Sequence, residues 1–134
     1  MLDKVVKIKQ LSGRVLLVED NPVNLMVLEG MLEKLGLVTE AAKNGEEGIS
    51  MWAQKNYDAI IMDIQMPQMG GLEATQQIRA REAEGMHQVI IALTANVFAE
   101  DEQACKEAGM DAYMTKPINL EVLYSTLKDY LPEA

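Results

Sequence analysis

The chain has 134 residues, 49% of them hydrophobic, with 12 basic against 21 acidic side chains and a formal net charge of −9. That length and apolar content suit one domain around one core, and the negative charge argues against a nucleic-acid backbone as a direct partner. No run of about 18 apolar residues could span a membrane, MLDKVVKIKQ has no signal-peptide h-region, and Cys105 has no second cysteine to pair with; the expected setting is reducing and cytoplasmic, with no membrane contact by this domain.

Residues 1–12 precede any regular pattern and read as an N-terminal extension or linker, leaving 13–132 as the folded domain. The first apolar run, Arg14–Val18, predicts a strand, and Asn21 followed by Pro22 opens a helix over Pro22–Leu35 that Gly36 closes. A second strand is expected over Leu37–Ala41, then a helix over Gly45–Lys55 capped by Asn44. The same alternation continues with a strand at Ala59–Met62, a helix at Leu72–Glu82 and a strand at Val89–Leu93. A helix at Ala99–Ala108 stopped by Gly109, a strand at Ala112–Met114 and a helix at Asn119–Tyr130 complete the chain. Three of the runs are almost continuously apolar, as strands covered on both faces are. Strand and helix alternating five times give a (βα)5 chain, an α/β fold with a parallel sheet and helices on both faces. The expected strand order is the doubly wound 2-1-3-4-5, with its switch point between strands 1 and 3.

In such sheets ligands bind beyond the carboxyl ends of the strands. There the first strand offers Glu19 and Asp20, the third Asp63 and the fourth Thr94, and the fifth is soon followed by Lys116 and Pro117. Taken singly, these are helix caps, a turn hydroxyl and a solvated loop charge. Together they are three carboxylates on one edge, and two like charges ~4 Å apart repel by roughly 4 kcal/mol at an effective dielectric of 20. A hard divalent cation such as Mg²⁺ removes that repulsion. A phosphoryl group fits in front of it, with metal, ammonium and hydroxyl each taking one oxygen.

Four segments, VLLVEDNPVN (15–24), IIMDIQMPQMGG (60–71), IIALTAN (90–96) and AGMDAYMTKPI (108–118), together resemble the receiver domain of two-component response regulators. The resemblance spans roughly residues 12–131 and implies a flavodoxin-like fold. It implies that Asp63 accepts the phosphoryl group from a phosphohistidine, with Lys116 and Thr94 completing the catalytic set. It also implies that Asp20, Asp63 and the backbone carbonyl of Gln65 hold Mg²⁺, with Glu19 acting through water, and that the Lys116–Pro117 bond is cis. Thr94 and Tyr113 stand at the switch positions, and Gln65 and Asn96 at positions that tune the phosphoryl lifetime.

EDNPVN, ALTAN and MDAYMTKPI are similar to receivers of hybrid sensor histidine kinases, with a stand-alone response regulator as the alternative. The implied partner is a histidine kinase or a histidine phosphotransfer domain. A phosphorylation-dependent dimer through the fourth helix, fifth strand and fifth helix is a further expectation. The domain itself would have at most autophosphatase activity. Two other classes compete. A Mg²⁺-dependent phosphohydrolase wants an acid two residues after its nucleophile, where Gln65 stands, and a flavin domain wants a hydroxyl-rich phosphate loop where EDNPVN stands.

On the first helix, Val27, Met31 and Leu35 follow helical spacing toward the sheet with Leu28 beside them. Leu25 shares a stripe with Glu29 and Glu33 and is expected to face solvent, either as a scattered surface residue or, with Pro117, as a docking contact for a helical phosphodonor. His87 reads as a loop residue, and Cys105 and Trp52 as packing.

Overall fold

The computed structural model describes residues 7–95 and 99–134. Five strands and five helices alternate: β1 (Arg14–Val18), α1 (Pro22–Lys34), β2 (Val38–Ala42), α2 (Gly45–Gln54), β3 (Ala59–Asp63), α3 (Gly71–Arg81), β4 (Ile90–Thr94), α4 (Ala99–Ala108), β5 (Ala112–Thr115) and α5 (Leu120–Leu127). The strands form one sheet in the order β2-β1-β3-β4-β5, parallel throughout. Among the described residues no helix is long and apolar enough to cross a membrane.

The apolar runs are strands because each of their faces has a helix layer to bury it. Val15 and Leu17 of β1, Ile61 of β3, and Ile91 and Leu93 of β4 point to one side, against Leu28, Leu32 and Leu35 of the first crossover and Leu123 and Leu127 of α5. The intervening Leu16, Val18, Ile60, Met62 and Ile90 point to the other, against Ile49 of α2, Ala74 and Ile78 of α3 and Cys105 of α4. The period-2 pleat thus splits one continuous apolar run between two cores.

Three helices have the expected asparagine caps. Asn21 Oδ1 accepts from the N–H groups of Val23 and Asn24 at 2.9 and 3.1 Å, Asn44 Oδ1 from Glu47 at 2.8 Å, and Asn119 Oδ1 from Val122 at 2.8 Å. On the side away from the strand ends, Arg79 ties α3 to the α4–β5 turn. It donates to the carbonyls of Gly109 and Gln88 and pairs with Glu82 and Asp111 at 2.8 and 3.0 Å. His87 lies in the loop before β4 and meets the other Asp111 oxygen at 2.6 Å.

Four expectations need correction. The strands β2 to β5 each end one residue later than expected, β2 and β4 also starting one later, since the ladder pairs backbones whatever side chain follows: Asp63 pairs with Leu93, and Thr94 with Thr115. α5 stops at Leu127 rather than Tyr130, because the chain turns there to bury Leu131 and to bring the Tyr130 hydroxyl 3.1 Å from the Asp111 carbonyl. Leu25 does not face solvent. The inward stripe of α1 is Leu25, Leu28 and Leu32, continued by Leu35, while Val27 is 49% exposed; the glutamates gave a misleading phase for the helix. Residues 10–12 are not a free extension. Leu11 is buried in the core, bridges Glu133 and donates to the Leu35 carbonyl at 2.8 Å, and Ser12 donates to the Pro132 carbonyl at 2.8 Å.

Candidate functional site

The switch point places the acidic residues where β1 and the central strand β3 end side by side. Val18 pairs with Met62, so the next residues, Glu19 just past β1 and Asp63 at the last position of β3, stand side by side at that edge. Glu19 stays tied to β2, its N–H donating to the Ala42 carbonyl at 3.1 Å. Glu19 and Asp63 are both 2% exposed, whereas Asp20 is open to solvent. One oxygen from each of Glu19, Asp20 and Asp63 lies within 4.8 Å of the others.

Lys116 enters this acid cluster from the loop after β5, which the backbone bond from its N–H to the Thr94 carbonyl (2.7 Å) holds over β4. Its ammonium donates to Asp63 Oδ2 at 2.9 Å and lies 3.3 Å from Glu19 Oε1. The other acceptor oxygen of Asp63, Oδ1, takes the Gln65 N–H at 2.9 Å. Both oxygens of Asp63 are therefore oriented by donors on opposite sides. Thr94 is buried at the end of β4, and the Lys116–Pro117 peptide is cis, as the resemblance implied.

Among the described residues the charges do not balance: three carboxylates face one ammonium. Burial, with Asp63 adjacent, pushes Glu19 from its ordinary 4.5 up to about 7. Burial alone would pull Lys116 down, but Asp63 and Glu19 outweigh it and its affinity for the proton rises. Glu19 Oε1, despite its ion-pair distance to Lys116, accepts no hydrogen bond of normal geometry among the described residues. A buried carboxylate oxygen without a donor, beside two more carboxylates and an opening at Asp20, suits a divalent cation with oxygen ligands.

Of the remaining expected residues, Tyr113 is half-buried on β5 against the α2–α4 core, and burial raises its phenol above the ordinary range. Asn96 lies outside the described residues. A feature absent from the sequence reading is an apolar surface on α1: Val23 and Met26 are 67% and 70% exposed beside Val27. It borders a cleft of about 470 Å³ lined by Asn24, Val27, Leu93, Lys116, Pro117 and Ile118. The signal was available: α1 carries more apolar residues than one buried stripe can use.

Residues 15–128 match the family model for the response regulator receiver domain. The chain belongs to that family, and it is a two-component phosphorelay receiver. Histidine kinases are among its curated relatives. It is 42% identical to the sensor protein GacS of Pseudomonas syringae over 110 residues, covering 81% of this chain and 12% of GacS. It is 40% identical to hybrid signal transduction histidine kinase L of Dictyostelium discoideum, covering 90% of this chain and 7% of that protein. Among solved structures, the receiver domain of the sensor histidine kinase PA1611 of Pseudomonas aeruginosa, with magnesium coordinated in its active-site cleft, is 40% identical. The match covers 89% of this chain and 97% of that one, with a TM-score of 0.81. The receiver domain of Ssk1 from Saccharomyces cerevisiae, crystallised with the histidine phosphotransfer protein Ypd1, is a further neighbour, 30% identical with a TM-score of 0.81 over 93% of this chain and 91% of that one.

Proposed function

We propose that Asp63 is the phosphoryl acceptor, taking the group from a phosphohistidine of a histidine kinase or histidine phosphotransfer domain. The observation that carries this reading is the acceptor geometry. Asp63 is a buried carboxylate at the end of a central strand, with one oxygen held by the Gln65 N–H and the other by the Lys116 ammonium. In the transfer, an Asp63 oxygen forms a bond to phosphorus as the phosphorus–nitrogen bond breaks. The electron pair stays on the imidazole, which keeps or regains its proton from solvent. Lys116 passes from the carboxylate to a phosphoryl oxygen, and the Thr94 hydroxyl takes another. Mg²⁺, held by Asp20, Asp63 and the Gln65 backbone carbonyl with Glu19 through water, would supply the charge that offsets phosphate against three acids.

Phosphorylation is then proposed to draw Thr94 inward, shift Tyr113 and remodel the surface of α4, β5 and α5, through which two copies associate. Gln65 and Asn96 would set how long the phosphoryl group survives. The donor docks beside the cleft at Pro117. Leu25, half-buried, supports that surface from beneath, while Val23, Met26 and Val27 offer the contact area. The kinship with histidine kinases supports a hybrid histidine kinase as the parent protein, in the cytoplasm, with a stand-alone regulator as the alternative.

The test is intact-protein mass spectrometry with acetyl phosphate and Mg²⁺. The protein should gain one phosphoryl group, and Asp63→Asn should gain none while keeping its fold. Unchanged labelling of Asp63→Asn would move the acceptor elsewhere, and continuous phosphate release without a mass gain would favour a phosphohydrolase.

A further inference from the structure

Three glycines at the starts of α2 and α3 touch the acceptor segment itself. A Cβ on Gly71 would lie 2.5 Å from the Asp63 carbonyl oxygen, one on Gly70 2.9 Å from the Ile64 carbonyl oxygen, and one on Gly45 2.9 Å from the Met69 carbonyl oxygen. Ordinary contacts are 3.4–4 Å, and here the nearest facing atom is in each case backbone rather than a flexible side-chain end, with Met69 Cγ at 3.0 Å and Ala74 Cβ at 3.2 Å also against Gly45. None of the three has a positive φ; the glycines that do are Gly13, Gly36, Gly85 and Gly109. Space, not backbone conformation, calls for glycine at these positions.

The contacts run in series. Gly45 of α2 backs Met69, its neighbour Gly70 backs Ile64, and Gly71 backs Asp63. Ile64 is anchored from the opposite side by its N–H bond to the Leu93 carbonyl at 3.1 Å, and Gln65, next in the chain, orients Asp63 Oδ1. The segment from Asp63 to Gly71 is therefore a loop whose two ends press together, with α2 as an outer brace. Gln68, at φ 65°, holds the turn in a conformation that non-glycine residues seldom adopt.

We propose that Gly45, which touches none of the reacting groups, is a positioning residue for phosphoryl transfer: its missing side chain lets α2 brace the acceptor loop and so set the place of the Asp63 carboxylate. The proposal rests on the reading of Asp63 as the acceptor. A methyl group at Gly45 must displace the Met69 carbonyl by about 0.5 Å, because packed interiors pass on such strain rather than absorb it. Gly70 and Gly71 relay the displacement to Ile64 and Asp63. A misplacement of about 1 Å costs on the order of a hundredfold in rate, so about tenfold is expected here.

The test is the initial rate of mass gain of the full chain at saturating Mg²⁺, over a range of acetyl phosphate, at a temperature where circular dichroism shows each variant folded. Gly45→Ala should lower the saturating rate about tenfold while the half-saturating donor concentration stays within about twofold. Gly70→Ala acts one contact nearer the acceptor, should show the same split, and serves alone if Gly45→Ala does not fold. Gly30→Ala on α1, whose added methyl would meet nothing within 4 Å, should match the wild type. Saturating rates of the Gly45 and Gly70 variants within about twofold of wild type, or an equal fall in Gly30→Ala, would overturn the proposal. Wild-type labelling of Asp63→Asn would instead remove the acceptor reading, independently of how the glycine variants behave.

Discussion

Glu19→Gln should stabilise the metal-free protein, and should do so in a pH-dependent way. Glu19 is 2% exposed, and burial, together with Asp63, lifts it from 4.5 to about 7. The folded protein thus binds the Glu19 proton more tightly than the unfolded chain does. The stability this contributes is fully present below about pH 4.5 and is lost as pH rises through about 7. With each tenfold in proton affinity equal to about 1.4 kcal/mol, the whole rise corresponds to about 3 kcal/mol. Some of it is already lost at pH 5, so about 2 kcal/mol separates pH 5 from pH 8. Glutamine has the shape of the protonated acid but does not titrate, and it leaves the Lys116–Asp63 bond in place.

The assay is thermal unfolding in chelator, wild type against Glu19→Gln, at pH 5 and at pH 8. The variant should gain about 2 kcal/mol on the wild type between the two, a melting-temperature difference on the order of 8 °C for a domain of this size. Adding Mg²⁺ at pH 8 should narrow the gap, because the ion offsets the charge that the variant lacks. A gap of the same size at both pH values would refute the reasoning: Glu19 would then be ionised in the apo protein across the range, with its orphan oxygen satisfied in some other way.

Three further substitutions separate the roles around Asp63. Asp20→Asn should weaken Mg²⁺ binding by at least about tenfold in isothermal titration calorimetry and melt no lower without metal, since Asp20 is the exposed member of the cluster; a clear fall in metal-free melting temperature would make it a structural cap. Thr94→Ala removes a hydroxyl worth about 1 kcal/mol net, so it should still be phosphorylated but lose most of the phosphorylation-dependent NMR shifts at Tyr113 and along α4, β5 and α5. Equal shifts in both proteins would take the coupling away from Thr94. Met26→Glu, at a 70% exposed position, should leave acetyl phosphate labelling intact yet slow transfer from a phosphorylated histidine phosphotransfer domain by about tenfold, because a charge would have to be buried on docking; unchanged transfer would clear α1 of that role.

The topology and the acid cluster were legible in the sequence for a shared reason. Strands buried on both faces leave continuous apolar runs, and the first polar residue after each run marks the carboxyl edge where ligands bind. Glu19, Asp63 and Thr94 could be placed on that edge without coordinates. The phase of α1 could not. With apolar residues at Val23, Leu25, Met26, Val27 and Leu28, more than one stripe satisfies helical spacing, and only contact with β1 and α5 selects Leu25, Leu28 and Leu32. Leu11 was hidden for a different reason. One buried leucine in a polar stretch has no period, and its partners, Leu35 and Glu133, lie far along the chain. Gly45 and Gly70 were likewise silent, since a glycine chosen for close approach looks the same in sequence as one chosen for a turn.

The instability at Glu19 and the chemistry at Asp63 are two faces of a single arrangement. Folded domains have roughly 5–15 kcal/mol of net stability, so about 3 kcal/mol held as unbalanced charge is a large share for 134 residues. It can be carried because β1, β3 and β4 are sealed between two apolar layers that do not depend on the site. Lys116 shows why the imbalance is not simply neutralised. Its ammonium already bonds Asp63 at 2.9 Å and lies 3.3 Å from Glu19, and a second side-chain cation fixed there would fill the space that the proposed transfer needs for the phosphoryl group. On the proposed reading, a divalent ion held by the acid cluster would meet both demands, with Asp20 as its solvent-exposed ligand. On that reading the residual negative charge would make affinity for metal, and through it for phosphate, a property of the apo fold, and the cost of holding it is the pH-dependent stability that Glu19→Gln measures.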